Sequence, residues 1–164
     1  MKHIHDLEEL FVEQLKEQYD GERQQLEVFP KLRARIVTEE LQSSIDHHIG
    51  KTKTQMQRLE RVFSLLDRNV HGEMNKGVRG LVEEAMELAA RCVNERVREA
   101  GAITSIQHFN HHNIATYGAL RTYAEELGMD EIKRLLTNSL EEEKLTDQDL
   151  SGLAEVSINL RAIR

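Results

Sequence analysis

The chain has no tryptophan, one proline, one cysteine and only 4% aromatic residues. Each shortage excludes something. Cys92 alone cannot form an intramolecular disulfide, and a cysteine-rich zinc site is ruled out. A reducing, cytoplasmic setting is the expectation. No apolar run approaches membrane-spanning length, and the N-terminal Met-Lys-His-Ile-His-Asp-Leu-Glu-Glu lacks the apolar core of a signal peptide. A net charge of −7 with scattered basic residues argues against nucleic acid as the main partner. No nucleophilic triad, phosphate loop or dinucleotide motif is present.

What remains is a helical composition. The chain has 164 residues, 31% of them charged, with long stretches of Leu, Ala, Glu, Arg and Gln. That length suits one domain spanning residues 1–164. Apolar residues recur at spacings of three and four. Leu7, Phe11, Leu15, Tyr19, Glu22, Leu26 and Phe29 mark a first helix from about Asp6, which Pro30 either kinks or restarts toward Ile36. Thr38 reads as the N-cap of a second helix reaching Leu66, with the stripe Leu41, Ile45, His48, Thr52, Met56, Leu59, Phe63. A polar loop over 68–76 precedes a shorter helix from Gly77 to Arg98. Ala100-Gly101 reads as a break or a kink before a third long helix, which Gly128 stops. Its seam is Ile103, Ile106, Asn110, Asn113, Tyr117, Leu120, Ala124 and Leu127. Asp130 caps a last helix with the stripe Leu136, Leu140, Glu143, Asp147, Leu150, Ala154. The pattern is an all-α chain, with a fifth, shorter helix in the long connection between the second and third long helices.

Every long helix carries polar residues in its apolar stripe: Glu22, His48, Asn110 with Asn113, and Glu143 with Asp147. Their depths agree. Glu22 lies 14 residues before Ile36, His48 10 after Thr38, Asn113 15 before Gly128, and Glu143 13 after Asp130. At the helical rise these positions are roughly 15–22 Å from their connecting turns. Packed hairpins bring them to the middle of a bundle. Carboxylates and imidazoles at that depth are how a four-helix bundle builds a dinuclear metal centre. A hydrogen-bonded polar layer without metal is the other possibility. On the same register His108, His111 and His112 fall on the outer face, and His3, His5, His47 and His71 also read as surface residues.

Several ordered motifs resemble those of the YciE/YciF family, a bacterial stress-associated branch of the ferritin-like superfamily. They are Tyr19-Asp-Gly-Glu22-Arg with Phe29-Pro30, the run His48 to Phe63, Asn113-Ile-Ala-Thr-Tyr117-Gly, and Leu140-Glu-Glu-Glu143-Lys-Leu-Thr-Asp147. The resemblance covers nearly the whole chain. It implies a ferritin-like four-helix bundle, a homodimer and, in typical members, a di-metal centre. At that centre this chain departs from the family pattern. Lys51 stands where members usually carry glutamate three residues after the histidine, and Asn110-x-x-Asn113 replaces Glu-x-x-Glu. Glu22, His48, Glu143 and Asp147 are the matching ligand positions that remain. The loss of three anionic ligands leads to the expectation of a degenerate centre without cofactor. There Lys51 would supply the missing positive charge by bridging Glu22 to Glu143 or Asp147, and the asparagines would supply hydrogen bonds. The alternatives are an oxidoreductase with one iron, manganese or zinc ion on Glu22, His48, Glu143 and Asp147, and a structural helical dimer acting through its surface.

Overall fold

A computed structural model describes residues 3–72 and 74–163, and among these every regular element is helical. Helix α1 (Leu7–Arg33) begins where the Asp6 carboxylate accepts a hydrogen bond from the Glu9 amide at 2.8 Å. Glu8 and Glu9 follow in its positive first turn. The helix does not end at Phe29. It continues through Pro30, whose ring is exposed and whose carbonyl accepts the Ala34 amide at 3.0 Å. Burial of Val28, Phe29 and Leu32 around that turn offsets the missing proline N–H.

Helix α2 (Glu39–Leu65) starts after Thr38, as expected, but the Thr38 side chain does not cap it. The buried Glu99 carboxylate of another helix instead holds the two residues that lead into it. It accepts the Val37 and Thr38 amides at 2.8 and 2.7 Å and the Thr38 hydroxyl at 2.7 Å. Replacing Glu99 with alanine is therefore expected to cost about 1–2 kcal/mol, measured by urea unfolding, because three partly buried donors lose one acceptor.

The polar loop over 68–76 is non-helical as far as Asn75, apart from Glu73, which lies outside the described residues. Asn75 caps α3 (Lys76–Arg91) by accepting the Val78 amide at 2.9 Å. The break before the next helix falls at Cys92–Asn94, not at Ala100-Gly101. The Asn94 side chain accepts the Arg96 and Val97 amides and so starts α4 (Glu95–Glu126). Gly101 lies inside α4 because α3 comes close there: a Cβ on it would stand 3.3 Å from Leu88 Cδ2. Gly128 stops the chain as read, at φ +69°. In α5 (Asp130–Leu153) Asp130 is the first helical residue and makes no cap hydrogen bond. The chain then passes through a π turn at Ala154–Ile158 into the short α6 (Asn159–Ala162).

Short turns join α1 to α2 and α4 to α5 as antiparallel hairpins. Glu99 ties the start of α4 to the start of α2, so these two helices run the same way. α1 packs on α2 and α4, α5 packs on α2 and α4, and α3 lies against α1 and α4. This is the ferritin-like arrangement of four long helices with one long connection. The apolar interior is in two parts. Phe29, Leu41, Ile45, Phe109 and Leu150 belong to one. Phe11, Leu15, Leu59, Phe63, Leu120 and Leu140 belong to the other. Polar side chains fill the space between.

Candidate functional site

The layer between the two apolar clusters is built from all four long helices. Helix α1 contributes Gln18, Glu22 and Gln25. Helix α2 contributes His48, Thr52 and Gln55, α4 contributes Asn110, Asn113 and Tyr117, and α5 contributes Glu143 and Thr146. All are buried. Each set recurs every three or four residues along its helix, so all members share the inward face.

One continuous hydrogen-bond network joins Gln18, Glu22, Gln25, Gln55, Asn110, Asn113, Tyr117 and Glu143, while the side chains of His48, Thr52 and Thr146 lie against it. Glu22 Oε1 accepts from the Tyr117 hydroxyl at 2.7 Å and from Gln18 Nε2 at 3.0 Å. Gln18 Nε2 also donates to Asn113 Oδ1 at 3.1 Å. Gln25 and Asn113 exchange two bonds, at 3.1 and 3.0 Å. Glu143 accepts three amide bonds: Oε2 accepts Asn110 Nδ2 at 2.8 Å and Asn113 Nδ2 at 3.2 Å, and Oε1 accepts Gln55 Nε2 at 2.9 Å. His48 Nε2 lies 3.8 Å from Glu143 Oε1, too far for a hydrogen bond.

The two carboxyls are shifted in opposite directions. Burial, with the nearby Glu143 charge, pushes Glu22 up to about 8. Burial opposes the charge on Glu143 as well. There the His48 imidazole and the Gln55 and Asn113 donors outweigh it and hold the carboxyl below its ordinary 4.5. At neutral pH the layer therefore carries one proton on Glu22 and one negative charge on Glu143. Burial and the adjacent Glu22 raise the Tyr117 phenol well above 10, so it remains a donor.

Several buried atoms of the layer have no hydrogen-bond partner among the protein's groups. They are Gln18 Oε1, Glu22 Oε2, Gln55 Oε1, Asn110 Oδ1 and both His48 nitrogens.

Glu22, His48, Asn110, Asn113 and Glu143 come together as their matched depths implied. Asp147 and Lys51 do not join them. Asp147 lies one residue beyond the inward-facing Thr146. Its side chain is 19% exposed and pairs with His111 at 3.3 Å and with Gln107 at 3.2 Å. Lys51 is half-buried at the edge of α2. Its ammonium donates to Thr146 Oγ1 at 2.9 Å and makes no ion pair among the described residues. The expected Lys51 bridge between carboxylates is therefore not formed, because the hydroxyl one turn along α5 is nearer its reach. His108 and His111 are on the surface, as read. His112 is not: its ring is partly buried and burial lowers its pKa.

A family model described as a domain of unknown function, DUF892, matches residues 6–163. The chain belongs to the DUF892 family. It is 34% identical over 158 residues to protein YciF of Escherichia coli (strain K12), covering 95% of each chain. The crystal structure of the E. coli stress protein YciF superposes with a TM-score of 0.91 at 32% identity, over 95% of this chain and 99% of that one. YcfI of Rhodopseudomonas palustris gives 0.89 at 33% identity, over 92% and 96%. A Xanthomonas campestris protein at 22% identity and TM-score 0.71 shares the fold.

Set in the DUF892 bundle, the layer fits a di-metal cofactor poorly. Two cations would bring four or more positive charges to two carboxyls. Glu143 already spends both oxygens on amide donors. Among the described residues no group of three or more His, Cys, Asp or Glu side chains is arranged to hold a metal ion. Tyr117 was read as part of the helix seam and of the family motif but not as a polar member of the layer, and Gln18, Gln25 and Gln55 were not singled out by sequence, glutamine being a common surface helix former. Their spacing does carry a signal: Gln18 and Gln25 flank Glu22 at four and three residues, and Tyr117 follows Asn113 by four.

Proposed function

We propose that this chain is a stress-associated DUF892 protein whose central layer works as a hydrogen-bonded polar network, without a redox-active metal pair. The observation that carries this reading is that three amide donors from α2 and α4 occupy both oxygens of Glu143. A bridging carboxylate must keep its lone pairs for metal, and amides that donate to it compete directly with a cation. In this reading the protein is not an oxygen- or peroxide-activating enzyme. Its stress association follows its similarity to a relative described as a stress protein. The proposal includes a cytoplasmic homodimer, as the family resemblance implies.

A mononuclear oxidoreductase is the second reading. It draws on the unpartnered Glu22 Oε2 and His48 nitrogens. It is weaker because Asp147, its fourth ligand, faces His111 instead. Metal analysis of untagged protein purified without chelator separates the two. The expected outcome is iron, manganese and zinc far below one per chain. One ion per chain supports the mononuclear reading, and two overturn the metal-free layer.

A further inference from the structure

The contact between α2 and α5 changes character at the height of the layer. On either side of the layer both helices feed the same apolar cluster: Leu41, Ile45 and Leu150 in one, Leu59, Phe63 and Leu136 in the other. Between these levels the facing side chains are polar. Arg58 donates to both Glu142 oxygens, at 2.7 and 2.5 Å, and to Ser139 Oγ at 3.2 Å. Lys51 donates to Thr146. Gln55 separates outside from inside. Its one amide nitrogen donates to Glu142 Oε2 on the rim at 3.3 Å and to Glu143 Oε1 in the layer at 2.9 Å, and its oxygen has no partner. The Arg58 and Glu142 side chains are 20% and 28% exposed. A surface depression of about 320 Å³, lined by Asp46, His47, Gly50, Lys51, Thr54 and Glu142, lies just outside. On the opposite side of the bundle α3 covers α1 and α4.

We infer that this polar stretch is a gate: Gln55 swings outward as the Arg58–Glu142 pair releases, and water and small polar solutes reach the Glu143 side of the layer while both apolar clusters stay packed. Partly exposed polar groups exchange their bonds for water at little cost, whereas parting an apolar interface exposes its whole buried area. α2 and α5 also share no connecting turn that would hold them together. The inference goes beyond the proposed function and is independent of the metal content of the layer.

Thiol labelling of the full chain tests it, in a Cys92→Ser background with a small neutral methanethiosulfonate as probe. Thr52→Cys puts a reporter on the buried face of α2, one turn from Gln55, and Val62→Cys puts one in an apolar cluster on the same helix. Each rate is normalised to that of the same reporter in the unfolded chain. The expected result is that Thr52→Cys labels at least about tenfold faster than Val62→Cys, with little dependence on urea below the unfolding transition. Adding Glu142→Ala should speed Thr52→Cys by about a further tenfold, and Val62→Cys only by the accompanying loss of global stability. Tyr19→Phe removes an exposed bond between α1 and α2 and, corrected in the same way, should leave Thr52→Cys unchanged. Ser139→Cys, buried on the facing helix, leaves the Arg58–Glu142 pair in place and serves as a second reporter if Thr52→Cys does not fold. Equal rates with equal urea dependence at the gate and cluster reporters overturn the inference, because only unfolding then opens the layer. Equal effects of Glu142→Ala and Tyr19→Phe overturn it as well.

Discussion

Replacing Glu143 with glutamine is expected to destabilise the protein by about 2–4 kcal/mol, although the side chain keeps its size and shape. The reason is direction. Both Glu143 oxygens accept: one from Gln55, the other from Asn110 and Asn113. Glutamine must present an NH2 on one side, so donor faces donor in a site without water access. The negative charge that faces His48 is also lost. Glu143→Ala should be worse, approaching the full stability of the domain, because it leaves all three amides unpaired. Asp147→Asn provides the contrast. Its partners are the exposed His111 and the surface-reaching Gln107, so the change should stay below about 1 kcal/mol. Urea unfolding of the three variants measures both numbers. Comparable losses at Glu143 and Asp147 would contradict the assignment of one to the layer and the other to the rim.

The second large effect lies in the pH dependence. Glu22 has its folded value raised from 4.5 to about 8. Between those values the folded protein keeps a proton that the unfolded chain has lost. Stability linked to Glu22 is thus fully present below about pH 4.5, declines as pH rises to about 8, and is flat beyond. Glu143 acts oppositely and in a lower window. Its folded value is depressed, so its contribution is present above 4.5 and is lost as pH falls through the folded value. The pair together favours mildly acidic conditions. Wild-type stability should fall by a few kcal/mol from pH 5 to pH 8. Glu22→Gln should remove most of that slope and be the more stable protein at pH 8. Its amide supplies the neutral group that the protonated acid supplies at pH 5, and its oxygen still accepts from Tyr117 and Gln18. A wild-type profile that is level or rising over this range would show that Glu22 is ionised in the folded state.

Much of this architecture is local and was readable as such. Leu7 to Phe29, Leu41 to Phe63, Ile103 to Leu127 and Leu136 to Leu150 repeat at the helical period, and Gly128 marks its turn through the positive φ it must adopt. Matched distances from those turns brought Glu22, His48, Asn110, Asn113 and Glu143 to one level, because helical rise is constant. The errors have a common character. Asn94 captured the α4 amides where Ala100-Gly101 had promised a break, and Gly101 instead made room for Leu88. Glu99 holds the residues leading into a helix more than 60 residues away from it in the chain, something no neighbouring residue announces.

Periodicity and spacing therefore settled the helices, their order and the depth of the polar layer, since each depends only on backbone geometry along one helix. Three things were left to the packing of the helices. Glu143 collected its amides, Asp147 turned to His111, and Lys51 reached Thr146 instead of a carboxylate. Adjacent positions on a helix differ by about 100° in direction. Which of them meets the centre, and which the rim, depends on how each helix is rotated against its neighbours. That rotation is chosen by the summed packing of the two apolar clusters, and no single residue records it.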